Sequence, residues 1–205
     1  MFDTDLESHG GAEDPRRRAF LWTAVPAVAG AIWWSLRRPK FVRATSAKES
    51  TPVVTIVLLS DSGERLQAVQ VPKVVKTDDQ WRKQLSRSAF TITRREGTEL
   101  AFSGEYWNTH EKGLYRCICC DNALFGSDTK FDSGTGWPSF WAPVAPENVS
   151  TVSDTSFGMR RTAVSCTQCD AHLGHVFDDG PEPTYLRYCM NSASLRFIAR
   201  GAATT

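Results

Sequence analysis

The hydrophobic pattern changes character several times along the 205 residues. Residues 1–15 carry Asp3, Asp5, Glu7, Glu13 and Asp14 with almost nothing to bury, a composition that predicts a disordered tail. Arg16-Arg17-Arg18 then opens an apolar run from Ala19 to Leu36, broken only by the polar Thr23 and Ser35, and Arg37, Arg38, Lys40 and Arg43 close it. A run of about 18 apolar residues is the lower limit for a membrane-spanning helix. Trp22, Trp33 and Trp34 stand near its ends, where aromatic rings favour the membrane interface. Residues 16–43 therefore read as an N-terminal apolar helix. An amphipathic or buried core helix is the alternative.

A different pattern follows. Residues 44–72 begin as a polar linker and become a predicted hairpin: β-branched Val53 to Leu59, the turn residues Ser60-Asp61-Ser62-Gly63, then alternation from Leu66 to Val71. Thr77 and Gln80 have capping-box spacing, so a short helix is expected over about Asp78 to Ser86, with Trp81 and Leu85 on one face. Phe90 to Thr93 reads as a brief strand. From Gly97 on, Gly and Pro recur every few residues without helical period, which predicts short strands joined by turns. The expected class is mainly β with few short helices.

Composition alters little. Net charge is +1, and there is no basic stripe, so nucleic acid is not an expected partner. The basic cluster before the apolar run adds more. Arg17-Arg18-Ala19-Phe20-Leu21 resembles a twin-arginine export signal. Residues 16–43 are thus a signal or an anchor. Basic residues on both flanks leave the positive-inside rule undecided. The export-signal resemblance places the domain outside, membrane-anchored and facing the periplasm or cell exterior.

The six cysteines carry the chemistry. Cys117-x-x-Cys120 and Cys166-x-x-Cys169 can aim four thiolates at one ion, a closed set that suits structural rather than catalytic zinc. Two disulfides, a redox C-x-x-C or four-thiolate iron are the alternatives. Cys119 can exchange with Cys120 as ligand; the spacing of the second pair favours Cys120. Cys189 has no such partner nearby. It is a candidate nucleophile or else a small buried hydrophobe. Arg187 and Asn191 lie two residues either side of it, a spacing that shares its face on a strand.

Four motifs occur in order: Cys117 to Cys120; Asp132-Ser133-Gly134-Thr135-Gly136-Trp137-Pro138-Ser139-Phe140; His172-Leu173-Gly174-His175-Val176-Phe177; and Arg187-Tyr188-Cys189-Met190-Asn191-Ser192-Ala193-Ser194-Leu195-Arg196-Phe197. Together they resemble the B-type peptide methionine sulfoxide reductases, over a domain spanning residues 73–200. The resemblance implies two antiparallel β-sheets with a structural zinc remote from the active site. It implies reduction of the R epimer of methionine sulfoxide, in proteins or free, and a role in repairing oxidised proteins. Cys189 would attack as a thiolate and become a sulfenic acid. His175 would donate the proton, with His172, Arg187 and Asn191 supporting. Trp137 and Phe197 would bind substrate. His9 and His110 receive no role, and Asp178, Asp179 and Glu182 read as a solvated turn.

This chain has Thr135 where many such reductases carry a resolving cysteine. An external thiol, thioredoxin-like or other, is then the expected reductant. Cys119 is the internal alternative. Two rival classes share these features: a membrane-tethered, non-enzymatic zinc-binding β-domain, and a thiol–disulfide oxidoreductase, for which no βαβ pattern is found.

Overall fold

The computed structural model describes residues 51–155 and 161–200. The expected tail over 1–15 and apolar helix over 16–43 lie outside the described residues. Among the described residues, no helix is long and apolar enough to cross a membrane.

Two helices lead into the domain. Helix α1, Asp78–Gln84, starts with the expected capping box: the Thr77 hydroxyl accepts from the Gln80 amide, and the Gln80 side chain accepts from the Thr77 amide at 2.8 Å. Helix α2, Arg87–Arg95, replaces the strand expected over Phe90 to Thr93. Its β-branched residues suggest a strand, but burial decides. Ala89, Phe90, Ile92 and Thr93 are the buried set, and the spacings of three and four residues between them mark one helical face. The Ser86 hydroxyl caps its start by accepting from the Ala89 amide at 3.1 Å.

Among the described residues, eleven strands form three sheets. A hairpin pairs β1 (Val53–Leu59) with β2 (Arg65–Pro72). A three-stranded sheet, ordered β11-β3-β4, contains β3 (Gly113–Cys117), β4 (Ala123–Gly126) and β11 (Leu195–Ala199). A six-stranded antiparallel sheet runs β5-β6-β10-β9-β8-β7. Its members are β5 (Lys130–Phe131), β6 (Ser139–Phe140), β7 (Val149–Asp154), β8 (Arg161–Cys166), β9 (His172–Phe177) and β10 (Arg187–Met190). The two expected sheets are the larger ones, and the expected hairpin forms the third.

The core lies between the larger sheets. Phe125 of β4 stacks on Phe140 of β6 at 4.6 Å, and Tyr115 of β3 meets Phe140 edge-on at 5.0 Å. Leu114, Leu124, Leu173 and Met190 are fully buried with them. Each such side chain contributes roughly 1.5–3 kcal/mol by leaving water. Polar residues fasten the hairpin: Arg116 Nη2 donates to the Leu59 carbonyl at 3.2 Å and to Asp61 at 2.9 Å, and Asn148 holds it from within. Buried Asn148 accepts from the Val57 amide at 2.7 Å and donates to the carbonyls of Val57 (2.9 Å) and Ala123 (2.8 Å).

Candidate active site and metal centre

Strands β9 and β10 gather the candidate residues. Their register sets Cys189 opposite His175 and Arg187 opposite Phe177, while β6 sets Ser139 opposite Cys189. Opposed residues in an antiparallel pair share a face, as do residues two apart on one strand. Arg187, Cys189, Phe177 and His175 therefore form a square on one face, and Tyr188, Val176 and Phe140 turn toward the core on the other. Gly174 permits this close crossing. A Cβ there would stand 2.1 Å from the Cys189 carbonyl oxygen.

His172 joins the square through a bulge. Residues three apart on a regular strand face opposite sides. Here the β8–β9 register breaks, pairing Val164 with Gly174 but Ser165 with His172. Leu173 is the extra residue. The His172 and His175 rings consequently lie 5.3 Å apart, edge to face. His172 is 5% exposed, and its Nε2 has no hydrogen-bond partner among the described residues. Burial, then the neighbouring His175, pushes its pKa down to about 4, so it stays neutral near pH 7. His175 is held from β7: its Nε2 lies 3.0 Å from Asp154 Oδ2, which also accepts from Arg161 Nη2 at 2.9 Å.

The Cys189 thiol is half-buried. Burial pushes its pKa up, against the opposing pull of Arg187 and of hydrogen bonds from Thr135, Ser139 and Arg187. Burial thus favours the neutral thiol at rest, and attack as a thiolate requires loss of its proton. Thr135 Oγ1 stands 4.0 Å from Cys189 Sγ, and Ser133 Oγ lies 2.8 Å from the hydroxyls of both Thr135 and Ser139. Trp137 walls the cavity over Cys189 and His175, its Nε1 donating to the Glu99 carbonyl at 3.2 Å.

Of the other expected residues, Arg187 is clamped. Its Nε and Nη2 donate to the two Asp179 carboxylate oxygens at 2.9 Å each, and its guanidinium covers the Phe177 ring at 4.4 Å. Asp179 is solvent-exposed, as expected of this turn, and it also anchors Arg187. Asn191 lines the cavity, but its amide is committed to backbone: Oδ1 accepts from the Glu99 amide at 3.0 Å and Nδ2 donates to the Leu173 carbonyl at 3.0 Å. Phe197 departs from expectation. It lies opposite Tyr115 on the three-stranded sheet and packs on Tyr115 and Tyr106, at 4.9 and 6.2 Å, so it belongs to the core and Phe177 takes the place at the cavity wall.

The four paired cysteines form a separate knot. Cys117 ends β3 and Cys166 ends β8, and each is followed by the same turn. Asp121 N donates to Cys117 O and Asp170 N to Cys166 O, both at 2.9 Å, and both aspartates have left-handed φ, 67° and 55°. All four sulfurs lie within 4.8 Å of one another, with Cys117–Cys169 and Cys120–Cys166 at 3.6 Å. Zinc–sulfur bonds of about 2.3 Å require tetrahedral edges of about 3.8 Å, so this set could hold a metal ion. A disulfide needs about 2.05 Å, and none of the six cysteines forms one. The knot joins the three-stranded sheet to the six-stranded one. Cys119 is buried beside it in the core and does not line the Cys189 cavity.

The SelR domain family matches residues 85–199, which takes in both sites. The chain belongs to the B-type peptide methionine sulfoxide reductases. Among its relatives, the peptide methionine sulfoxide reductase MsrB of Herminiimonas arsenicoxydans is 58% identical over 127 residues, covering 62% of this chain and 93% of its own. That of Thioalkalivibrio sulfidiphilus is 60% identical over 123 residues, 60% of this chain and 90% of its own. The chloroplastic peptide methionine sulfoxide reductase B1 of Oryza sativa subsp. japonica is 60% identical over 121 residues, 58% of this chain and 56% of its own.

The reductase is accordingly an oxidoreductase, a peptide-methionine (R)-S-oxide reductase. This removes the alternatives of a non-enzymatic zinc-binding domain and a thiol–disulfide oxidoreductase. Several residues that position its site carried no sequence signal. Asp154 and Arg161 reach His175 only through the pairing of β7 with β8 and β9. Glu99 stands 92 residues from Asn191, yet its carboxylate accepts from the amides of Ser192 (2.6 Å) and Ala193 (3.1 Å) and fixes the turn after Cys189. Asp179 alone was detectable: it lies eight residues before Arg187 across the β9–β10 connection, where opposite charges can meet.

Proposed function

We propose that the reductase returns the R epimer of methionine sulfoxide in proteins to methionine through a sulfenic acid on Cys189, as repair of oxidised proteins. The observation that carries this reading is the cross-strand pair of Cys189 and His175 beneath Trp137, with His175 held by Asp154. A sulfoxide sulfur accepts a nucleophile only as its oxygen gains a proton or a hydrogen bond. The site offers both partners within one cavity.

The chemistry balances without a further reactant. Cys189 bonds to the sulfoxide sulfur as the oxygen takes up a proton from His175, and the thiol proton restores His175. The oxygen then passes to Cys189 as the sulfur–sulfur bond breaks. One thiol and one sulfoxide give one sulfenic acid and one thioether. Asp154 orients the His175 ring, and neutral His172 packs against it without competing for the proton. Arg187, fixed by Asp179, faces the developing thiolate. Trp137 presents an aromatic wall to the S-methyl group, a favourable sulfur–aromatic contact. Asn191 positions the strand end through its backbone bonds rather than touching the thiolate.

Recycling falls to an external thiol, because Thr135 stands beside Cys189. A first thiol forms a mixed disulfide and releases water, and a second frees Cys189. The four-cysteine knot holds zinc in this reading, tying the two sheets together and taking no part in the reaction. Export and anchoring rest on residues 16–43 alone, and a topology reporter fused after Thr205 tests them. For the activity, the two epimers of a capped methionine sulfoxide are supplied separately with a small dithiol. Consumption of the R epimer alone is expected. Equal consumption of both, or of neither, contradicts the reading.

A further inference from the structure

We propose that Leu100 and Phe102, with Trp107, form a docking surface for the apolar residues that flank methionine sulfoxide in an unfolded polypeptide. This inference rests on the cavity beneath Trp137 being where the sulfoxide is reduced. Leu100 is 79% exposed and Phe102 56%, and the Trp107 ring meets Phe102 edge-on at 5.3 Å. A lone apolar side chain on a surface is ordinary. Here Phe102 and Trp107 are in contact, and exposed Leu100 lies two residues before Phe102 on the same loop, an apolar concentration of the kind that marks interaction sites.

The loop holds these side chains outward at a conformational cost. Phe102 has φ 63°, in the left-handed region that bulky residues avoid. Strain of this kind persists only where the surroundings impose it, and it concentrates at functional positions. Here Phe102 is packed directly on Gly136. The Phe102 amide donates to the Gly136 carbonyl at 2.8 Å, and a Cβ on Gly136 would stand 2.7 Å from that amide nitrogen and 2.8 Å from the ring. Gly136 precedes the cavity wall Trp137, whose indole is bonded to the Glu99 carbonyl. Thr98 itself lines the cavity. The segment from Thr98 to Phe102 therefore runs from the cavity rim to the patch, tied at Glu99 to the turn after Cys189.

The occupant follows from the substrate's geometry. A methionine sulfoxide whose side chain enters the cavity must lay its neighbours on the rim, at about 3.3 Å of extended chain per residue. Methionine is among the residue types most often buried, so a sulfoxide offered by an unfolded chain brings core-type neighbours. A second copy of the reductase is a poorer fit, since a stable pairing needs about 800 Å² per partner and three side chains supply far less.

Two capped pentapeptides carrying methionine (R)-sulfoxide test this, one flanked by Phe and Leu, the other by Gly and Ser, beside free methionine sulfoxide. The parent is compared with Leu100→Gln, Phe102→Asn and the double variant. Asn tolerates the left-handed region, which spares the fold, and thermal melting verifies it. The parent should prefer the apolar peptide by about tenfold in kcat/KM, the order that one or two methylenes confer in an apolar pocket. The double variant should lose that preference, chiefly through KM. Equal kcat/KM for the two peptides in the parent, or the parent's preference retained in a folded double variant, overturns the proposal. A parent that reduces none of the three substrates overturns the reading of the cavity instead, and the proposal with it.

Discussion

The hydroxyl of Thr135 stands 4.0 Å from the sulfur of Cys189. That separation places position 135 beside the reacting atom, so a thiol there would meet the sulfenic acid directly. Thr135→Cys is expected to form a disulfide with Cys189 after one turnover and to gain activity with a thioredoxin-like reductant, which attacks disulfides through a thiolate. In the parent, sulfenic acid should persist on Cys189, and Cys119→Ser should turn over as fast as the parent with a small dithiol. Peptide mapping after one turnover decides it. A Cys119–Cys189 disulfide in the parent would contradict the external-thiol account.

The four-cysteine knot predicts one equivalent of zinc in reduced, purified protein, measured by elemental analysis. Because the knot joins two sheets, Cys166→Ser should melt at lower temperature or fail to fold. A structural zinc site contributes about 10–16 kcal/mol of apparent binding free energy that is coupled to folding. Less than half an equivalent of metal would remove zinc from the account.

His172 makes stability depend on acid. Its folded pKa of about 4 lies below the ordinary 6.5, because burial and then His175 and Arg161 disfavour the charged ring while Asp154 favours it. Its contribution is therefore complete above pH 6.5 and is lost as pH falls toward 4, since only the unfolded chain binds the proton there. The loss is at most about 3 kcal/mol. Denaturant titrations from pH 7 to pH 4 should show a smaller fall for His172→Asn than for the parent. Parallel curves would contradict the assignment.

The bond between His175 Nε2 and Asp154 predicts a graded pair of variants. His175→Ala removes the proposed proton donor and should lower single-turnover methionine release by about 10²-fold or more. Asp154→Asn keeps the size of the side chain but not its charge, and should lower kcat by less, with KM little changed. An Asp154→Asn enzyme more impaired than His175→Ala would mean that Asp154 does more than orient the ring.

What was legible in the sequence was local. The two C-x-x-C-Asp turns repeat in the chain and fold with the same backbone bonds. The capping box at Thr77 and the hairpin from Val53 to Pro72 are short-range features and formed as expected. Helix α2 was missed because Thr91, Ile92 and Thr93 carry strand propensity, and only tertiary burial of one face makes them helical. Phe197 was placed at the substrate because it shares a motif with Cys189. The turn after Asn191 in fact carries the chain from one sheet to the other, so residues eight apart end on different surfaces. Asp154 and Glu99 act across 21 and 92 residues, and one chain's sequence carries no local mark of such pairings.

The central claim is that Cys189 takes the sulfoxide oxygen. One equivalent of a methionine (R)-sulfoxide peptide, added to reduced enzyme with no recycling thiol, should release one methionine peptide per enzyme and leave one added oxygen on Cys189, both read by mass spectrometry. Cys189→Ser should release none. Undiminished release by Cys189→Ser, or an added oxygen found on another cysteine, would contradict it.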